Sequence, residues 1–370
     1  MTRIRSIDIY AIALPLIRPF IIAYDTFREM PTILVRLETD EGVVGYGEAT
    51  PDEHVTGETY WSTIEVIKHH LGPAVLGENP FSIERIHDRM NQKAKGVPAA
   101  KAAIDIACHD LMGKLAGQPL YRLLGGPSHD ELVIPYVMSI QPPEVMAQEA
   151  QAAVAEGYGT LKLKVGTDVA SDVARVQAVR QAVGPDIRLR VDVNQGWGYA
   201  AETLQALKHM EALGIDWIEQ PVHADDLDGM ADIRRKTAIP VMVDEGLLGD
   251  KEMRQITQKN AADWINIKLM KCGGLYPAVR LNHQAEMAGI RVQIGSMVES
   301  AVATAAGAHL SLAKKNIWSN EMVGPRMFAK DVADFPVFGD RIRLGESPGL
   351  GIAVNEETVA SLMRIHVKLA

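Results

Sequence analysis

From residue 130 onward, short apolar runs alternate with longer amphipathic stretches, and turns containing Gly or Pro separate them. Short runs bounded by turn residues predict strands, whereas apolar positions with helical periodicity predict helices. We predict eight strands at 132–140, 161–166, 189–194, 216–221, 240–246, 264–270, 291–297 and 316–322. Because no glycine-rich phosphate-binding turn follows the first strand, this alternation favours a TIM-type barrel over an open doubly wound sheet.

The first 125 residues follow a different pattern. Segments 3–16, 32–42 and 43–51 have the pattern of consecutive antiparallel strands, and helical stretches follow them. Strands grouped before helices predict a separate α+β domain. We therefore expect an α+β domain at 1–125, a barrel at 126–345, and a C-terminal segment at 346–370 that returns to the first domain.

Composition narrows the choice of partners. The chain has 370 residues, of which 47% are hydrophobic and 23% charged, and its formal net charge is -9. This balance argues against nucleic acids and anionic membranes, which require clustered Lys and Arg. No segment has the apolar length of a signal peptide or a membrane span, and the two cysteines suit a reducing compartment. We expect a cytoplasmic protein that binds small molecules and metal cations.

Charged residues stand at the ends of successive predicted strands of the barrel. They are Lys162, Lys164, Asp192, Glu219, Asp244 with Glu245, and Lys268. A single Asp at such a position is more often a helix cap, and a single Lys is usually solvated. Three acids that converge from consecutive strands would repel one another unless a cation lay among them. Oxygen ligands without His or Cys favour Mg²⁺ over Zn²⁺.

The lysines suggest proton transfer. In "LKLKVG" strict alternation places Lys162 and Lys164 on one face of a strand. Lys164 and Lys268, on the second and sixth strands, would approach a metal-bound substrate from opposite sides. Burial, the metal charge and Lys162 would all lower the pKa of Lys164 towards that of a usable base, and Lys162 would also donate to a substrate carboxylate. Two bases and a metal describe proton abstraction next to a carboxylate.

Through these residues the chain resembles the enolase superfamily, in its muconate-lactonizing subgroup. The resemblance is carried by "LKLKVG", "VDVNQGW", "IEQP", "VDEG" and "NIKLMKCGG". It implies a modified (β/α)₇β barrel under an N-terminal capping domain, an essential Mg²⁺, an enediolate intermediate and a homo-oligomer. The implied roles are metal ligands at Asp192, Glu219 and Asp244, an acid/base pair at Lys164 and Lys268, and supporting residues at Asn194 and Glu245.

Within the subgroup, "ATPDEHVTGET", "KCGGLYPAV" and "GSMVES" are similar to N-succinylamino acid racemases, including those acting on N-succinyl-Arg and N-succinyl-Lys. Dipeptide epimerases also resemble the chain, but they carry an Asp-x-Asp pair where this sequence has Glu321 and Val323. "NEMVGP" is similar to a segment of muconate cycloisomerases. A lyase, either that enzyme or an o-succinylbenzoate synthase, therefore stays an alternative.

Substrate specificity is expected from loops of the capping domain at 20–28 and 50–59. Asp52 and Glu53 are candidates to bind a cationic side chain, since a carboxylate pairs well with guanidinium. His54 is either a ligand contact or a turn residue. The remaining candidates for binding the substrate lie at strand ends and are Ser139, Ser296, Glu299 and Glu321.

Overall fold

The computed structural model describes residues 2–370. Its strands are β1 (Ile4–Ile21), β2 (Thr26–Thr39), β3 (Val44–Ala49), β4 (Leu132–Val133), β5 (Tyr136–Met138), β6 (Thr160–Lys164), β7 (Arg188–Asp192), β8 (Ile215–Glu219), β9 (Val241–Val243), β10 (Trp264–Ile267), β11 (Arg291–Ile294), β12 (Ile317–Asn320), β13 (Val337–Phe338), β14 (Arg341–Ile342) and β15 (Met363–Leu369).

Helices follow most of these strands. They are α1 (Tyr60–Val66), α2 (Gly72–Val75), α3 (Ile83–Lys93), α4 (Pro98–Ala116), α5 (Leu120–Leu123), α6 (Pro143–Ala155), α7 (Val169–Val183), α8 (Ala200–Met210), α9 (Leu227–Lys236), α10 (Asp250–Lys259), α11 (Leu269–Cys272), α12 (Leu275–Met287), α13 (Ala301–Ala313), α14 (Gly324–Met327) and α15 (Glu356–Leu362). A π-helical turn at Ile67–Leu71 joins α1 to α2, and a 3₁₀ turn at Glu211–Leu213 extends α8.

The N-terminal sheet has the strand order β15-β1-β2-β3. Its strands pair antiparallel, and β1 and β2 form a long hairpin. Helix α4 packs so closely on β3 that a Cβ at Gly47 would lie 1.9 Å from the carbonyl oxygen of Ala103. The strand can hold this position only because residue 47 is glycine. The buried α4 thus packs against this sheet and also contacts α11 of the barrel.

The second sheet contains eight parallel strands in the order β12-β11-β10-β9-β8-β7-β6-β5. Each strand is followed by a helix, and the apolar side chains between them form a continuous core. An α/β fold of the modified TIM-barrel type, with an α+β N-terminal domain, is thereby confirmed. Parallel strands bring their C-terminal ends to the same face, so the residues that end β6 to β10 lie together.

The segment predicted as the first strand of the barrel divides into two strands. β4 pairs with β14 in a small antiparallel sheet of order β13-β14-β4, whereas β5 pairs with β6 in the barrel. Pro135 lies between them and has no N–H to continue a ladder. β15 pairs with β1, and thus the C-terminal residues extend the N-terminal sheet. The domain boundaries 1–125, 126–345 and 346–370 stay predictions.

Across residues 2–370, no helix is both long enough and apolar enough to cross a membrane.

Candidate active site

Three acidic side chains converge at the C-terminal ends of neighbouring strands. Lys164 pairs with Asp192 in the β6–β7 register, and Asp192 pairs with Glu219 in the β7–β8 register, so these strand ends are level. Asp244 follows the last residue of β9. Asp192, Glu219 and Asp244 are fully buried, and each offers a carboxylate oxygen within 4.8 Å of the others. The sequence predicted that these three acids converge, and they do so in the structure.

Lys162 lies among these acids. Its Nζ is 2.9 Å from Asp192 Oδ2 and 2.9 Å from Glu219 Oε2, and it is 2.8 Å from Glu321 Oε1. The side-chain amide of Gln293 also donates to Glu321, at 3.4 Å. Lys162 therefore joins two of the clustered acids to the end of β12.

Lys164 and Lys268 contact different members of the cluster. Lys164 Nζ donates to Asp192 Oδ2 at 2.7 Å and to Asn194 Oδ1 at 3.1 Å. Lys268 Nζ lies 2.8 Å from Asp244 Oδ2. Because Asp192 ends β7 whereas Asp244 follows β9, the two ammonium groups approach the cluster from different strands on either side of β8.

The carboxylates determine the protonation of two of these lysines. Burial lowers the pKa of Lys162, but Asp192 and Glu219 raise it more, and the pKa is well above its ordinary value. Burial also lowers the pKa of Lys268, but the charge of Asp244 outweighs burial and the pKa is again well above its ordinary value. For both Lys162 and Lys268 the adjacent anions outweigh burial.

The acids themselves are shifted in opposite directions. Burial raises the pKa of Asp192, but the ammonium groups of Lys162 and Lys164 lower it to about 2. Burial and the charge of Asp192 raise the pKa of Glu219 to about 8. Such opposed shifts within one buried cluster are typical of functional sites.

The cluster fits a hard divalent cation. Glu219 Oε2 and Asp244 Oδ2 are buried and accept no hydrogen bond of normal geometry from residues 2–370, although a lysine Nζ lies within 2.9 Å of each. A buried carboxylate oxygen without such a bond is costly, and a metal ion would satisfy it. Three carboxylates without His or Cys are donors that suit oxygen-preferring cations.

Two residues for which the sequence predicted no role, Lys271 and Asn266, connect two of the clustered acids. Lys271 Nζ lies 2.5 Å from Asp244 Oδ1 and donates to Asn266 O at 3.1 Å, and Asn266 Nδ2 donates to Glu219 Oε1 at 2.8 Å. Lys271 is 1% exposed. The sequence signal was present in "NIKLMKCGG", where Asn266 and Lys271 flank Lys268 within otherwise apolar positions.

Asn194 and Glu245 form a further pair beside the acids. Asn194 Nδ2 donates to Glu245 Oε1 at 2.9 Å, while its backbone N–H donates to Asp192 Oδ1 at 3.0 Å. Burial and the charge of Asp244 raise the pKa of Glu245 to about 7. Asn194 thus orients both Asp192 and Lys164, and its φ of 44° reflects the tight turn that places it there.

A cavity lies between the capping domain and the ends of the barrel strands. The lining residues include the polar set Asp52, Lys164, Asn194, Lys268 and Ser296, and the capping-domain set Phe20, Ile22, Tyr24, Phe27 and Met30. Both predicted acid/base lysines therefore face one space, which Asp52 and Ser296 also line.

Other predicted substrate contacts lie elsewhere. Glu53 is exposed outside this cavity, next to the buried Asp52. Ser139 lines a neighbouring cavity that shares Phe20, and its hydroxyl accepts from the N–H of Ile21 at 3.3 Å.

Glu299 and Glu321, two of the residues predicted to bind the substrate, form hydrogen bonds or ion pairs within the protein. Glu299 Oε1 accepts from the backbone N–H of Met297 at 2.8 Å, and Glu299 also accepts from the hydroxyl of Ser296. Glu321 is turned onto Lys162. Both glutamates hold other residues in place, and direct contact with the substrate stays a prediction for them.

The fold and the acidic cluster together define the class of protein. Residues 145–358 match the family described as "Enolase C-terminal domain-like", and residues 6–125 match "Mandelate racemase / muconate lactonizing enzyme, N-terminal domain". The chain belongs to this enolase superfamily, which confirms the resemblance found in the sequence.

The relatives include racemases and epimerases. The chain is 56% identical to the N-succinyl-L-Arg/Lys racemase of Bacillus cereus, over 97% of this chain and 98% of that protein. The crystal structure of the N-succinyl Arg/Lys racemase from that organism covers 100% of both chains with a TM-score of 0.99 and 55% identity. A hydrophobic dipeptide epimerase of Enterococcus faecalis is 41% identical, over 95% of this chain and 99% of that one. The prediction of an isomerase of the enolase superfamily is thereby confirmed.

Proposed function

We propose that the protein is a Mg²⁺-dependent racemase of N-succinylamino acids with basic side chains, N-succinyl-Arg and N-succinyl-Lys. The observation that carries the proposal is the placement of Lys164 and Lys268, which line one cavity and contact different members of one acidic cluster. Racemisation requires an acid and a base on opposite faces of one carbon, and the placement of the two lysines supports these roles.

The metal would be held by Asp192, Glu219 and Asp244, whose oxygens form the buried cluster. Mg²⁺, when bound there, supplies positive charge next to the substrate carboxylate and so lowers the energy of the enediolate. Lys271 and Asn266 orient two of these acids. Partners that fix ligating carboxylates strongly influence metal affinity, so we include both in the site.

The proton transfer would use the two lysines that line the cavity. One accepts the α-proton at its Nζ, the electron pair of the C–H bond passes into the substrate carboxylate, and the other lysine donates a proton from its Nζ to the opposite face. The ammonium group of Lys162 would contribute positive charge that stabilises the negative charge developing on the substrate. Asn194 keeps Lys164 in position.

Recognition of the substrate would come from the capping domain. Asp52 is the acidic residue of that domain that lines the cavity, and it can pair with a cationic side chain. Ser296 lines the same space. The similarity to a protein named N-succinyl-L-Arg/Lys racemase supports this choice. A cytoplasmic location and a homo-oligomer stay predictions.

A dipeptide epimerase is the second candidate, because relatives of that kind match most of the chain. The arrangement at the end of β12 weighs against it. Val323 is apolar, and Glu321 is already paired with Lys162, which leaves little to bind a free α-ammonium group. Muconate cycloisomerase, also among the relatives at 31% identity, would release a different product.

The test is proton NMR in D₂O with Mg²⁺ and N-succinyl-L-arginine, together with optical rotation. We expect the α-proton signal and the rotation to disappear without a new product. Parallel incubations with L-Ala-L-Glu and with cis,cis-muconate test the alternatives. Exchange confined to the dipeptide would establish the epimerase, and a lactone product would establish the lyase.

A further inference from the structure

An aromatic ring from the capping domain reaches the cavity. Residues 22–25 join β1 to β2, and the backbone N–H of Ile22 donates to Asp25 O at 3.1 Å, which closes a tight turn. Below the turn, Phe20 pairs with Phe27 in the hairpin register. Tyr24 lies in this turn and lines the same cavity as Lys164 and Lys268. The hairpin therefore positions an aromatic side chain beside the reacting groups.

Tyr24 is part of a small cluster that joins the two loops of the capping domain. Its hydroxyl donates to Asp52 Oδ2 at 3.3 Å. The ring of His54 stacks on the ring of Tyr24, with centroids 4.7 Å apart and an interplanar angle of 29°. His54 is exposed whereas Tyr24 is half-buried. His54 consequently covers one face of the tyrosine ring, and the face opposite His54 is called the inner face.

Asp52 is fixed in this cluster by its own turn. Its Oδ1 accepts from the backbone N–H groups of His54 at 2.8 Å and Val55 at 3.0 Å. The carboxylate therefore cannot rotate freely, and Oδ2 stays on the side of Tyr24. Burial raises the pKa of Tyr24, and the charges of Asp52 and Glu245 raise it further. The fixed carboxylate of Asp52 beside the ring favours a cation against the ring face.

We propose that Tyr24 and Asp52 form a subsite for a planar guanidinium group, which stacks on the inner face of the tyrosine and donates to the carboxylate of Asp52. The inference rests on the proposed function and deepens it by naming the side chain that the site prefers. Guanidinium stacks on aromatic rings, is weakly hydrated and matches a carboxylate with parallel N–H groups. An ammonium group gains less from the same ring, so arginine derivatives should be preferred to lysine derivatives.

The test compares Tyr24→Leu with Tyr24→Phe on N-succinyl-L-arginine, N-succinyl-L-lysine and N-succinyl-L-citrulline. Citrulline has the shape of arginine without the charge. Exchange of the α-proton in D₂O gives kcat and KM for each compound. Phe338→Leu is the control, since Phe338 is an exposed aromatic residue of β13 outside the cavity.

We expect Tyr24→Leu to lower kcat/KM for the arginine compound by roughly 3- to 30-fold, mainly through KM, and to change citrulline much less. Tyr24→Phe retains the ring and should keep most of the preference for arginine over citrulline. An equal loss for arginine and citrulline in Tyr24→Leu would overturn the subsite, because the ring would then serve packing. A loss in Tyr24→Phe as large as in Tyr24→Leu would overturn the stacking.

Failure of the proposed function gives a different result. If the wild-type protein with Mg²⁺ exchanges none of the three compounds, the racemase proposal is contradicted. The subsite is then tested by calorimetric titration of the arginine and citrulline compounds into the wild type and Tyr24→Leu. Tighter binding of the arginine compound that is lost in the variant supports the subsite, whereas equal binding, or none, overturns it.

Discussion

Lys164 and Lys268 hold their ammonium groups against different carboxylates of one acidic cluster. Lys164 Nζ lies 2.7 Å from Asp192 Oδ2, and Lys268 Nζ lies 2.8 Å from Asp244 Oδ2. Both lysines line the same cavity. A substrate carbon between them could lose a proton to one lysine on one face and receive a proton from the other lysine on the opposite face.

This relationship predicts complementary defects. We expect Lys164→Ala and Lys268→Ala each to reduce racemisation of N-succinyl-arginine by about 100- to 10,000-fold, because each lacks one proton-transfer group. The remaining lysine should still exchange the α-proton of one enantiomer with D₂O. Proton NMR on the separate L and D compounds measures this directly.

The two variants should therefore exchange opposite enantiomers. Full racemisation by either variant would contradict the two-base mechanism, and exchange of the same enantiomer by both would contradict the assignment of opposite faces. Mg²⁺ binding by calorimetry is the control, since each substitution also removes a partner of a buried acid.

Lys271 is predicted to control metal affinity without touching the substrate. Its ammonium group contacts Asp244 and the backbone carbonyl of Asn266. The side-chain amide of Asn266 in turn donates to Glu219. We expect Lys271→Met to weaken Mg²⁺ binding by roughly 10- to 100-fold, the usual effect of losing a partner that orients a metal ligand. Calorimetric titration of the metal-free protein measures this. Lys251→Met, at an exposed lysine of α10, should leave the affinity unchanged.

The sequence predicted the barrel and its acidic cluster because both depend on a simple rule. Parallel strands end on one face, so charged residues that end successive strands must meet there. Asp192, Glu219 and Asp244 could be found in this way. Lys271 could not, because it lies beyond the end of β10 in α11, and its contact with Asp244 depends on how the chain turns after the strand.

The sequence did not predict which residues at the domain interface face the cavity, because that depends on turns and on docking. Asp52 and Glu53 are adjacent and chemically alike, and the turn alone decides that one faces the cavity while the other is exposed. Ser139 bonds to Ile21 of the capping domain, a contact that depends on how the two units dock. Local patterns carry no information on such docking, whereas strand periodicity does report which residues share a face.

Asp52 is predicted to select the charged side chain. We expect Asp52→Asn to lower kcat/KM for N-succinyl-L-arginine by roughly 10- to 150-fold, since a charge-assisted hydrogen bond is lost. The citrulline compound should change little. Glu53→Gln is the matched control, because Glu53 is the exposed neighbour. If the control lowers the arginine rate as much as Asp52→Asn, the loop acts through its total charge and the assignment to Asp52 fails.

Glu48 links the two domains and predicts a pH dependence of stability. Glu48 of β3 is fully buried, and its carboxylate accepts from Ser300 N at 2.8 Å, Ser300 Oγ at 2.6 Å and Ala303 N at 2.9 Å, at the N-terminus of α13. Burial raises its pKa from 4.5 to about 7, although these hydrogen bonds oppose the rise. Between pH 4.5 and pH 7 the folded protein binds more protons than the unfolded chain. The contribution of Glu48 to the free energy of unfolding is therefore full below pH 4.5 and is lost as pH rises through 7.

Glu48→Gln removes this titration. At pH 5 we expect the variant to be less stable than the wild type by about 1–3 kcal/mol, because the amide nitrogen cannot accept from Ala303 N–H. From pH 5 to pH 8 the wild type should lose roughly 3 kcal/mol relative to the variant, so that the difference narrows or reverses. Urea unfolding followed by far-UV circular dichroism at both pH values measures this. Glu144→Gln, at an exposed position of α6, should show the wild-type pH dependence. A difference between Glu48→Gln and the wild type that is constant with pH would show that Glu48 is already ionised at pH 5 in the folded protein.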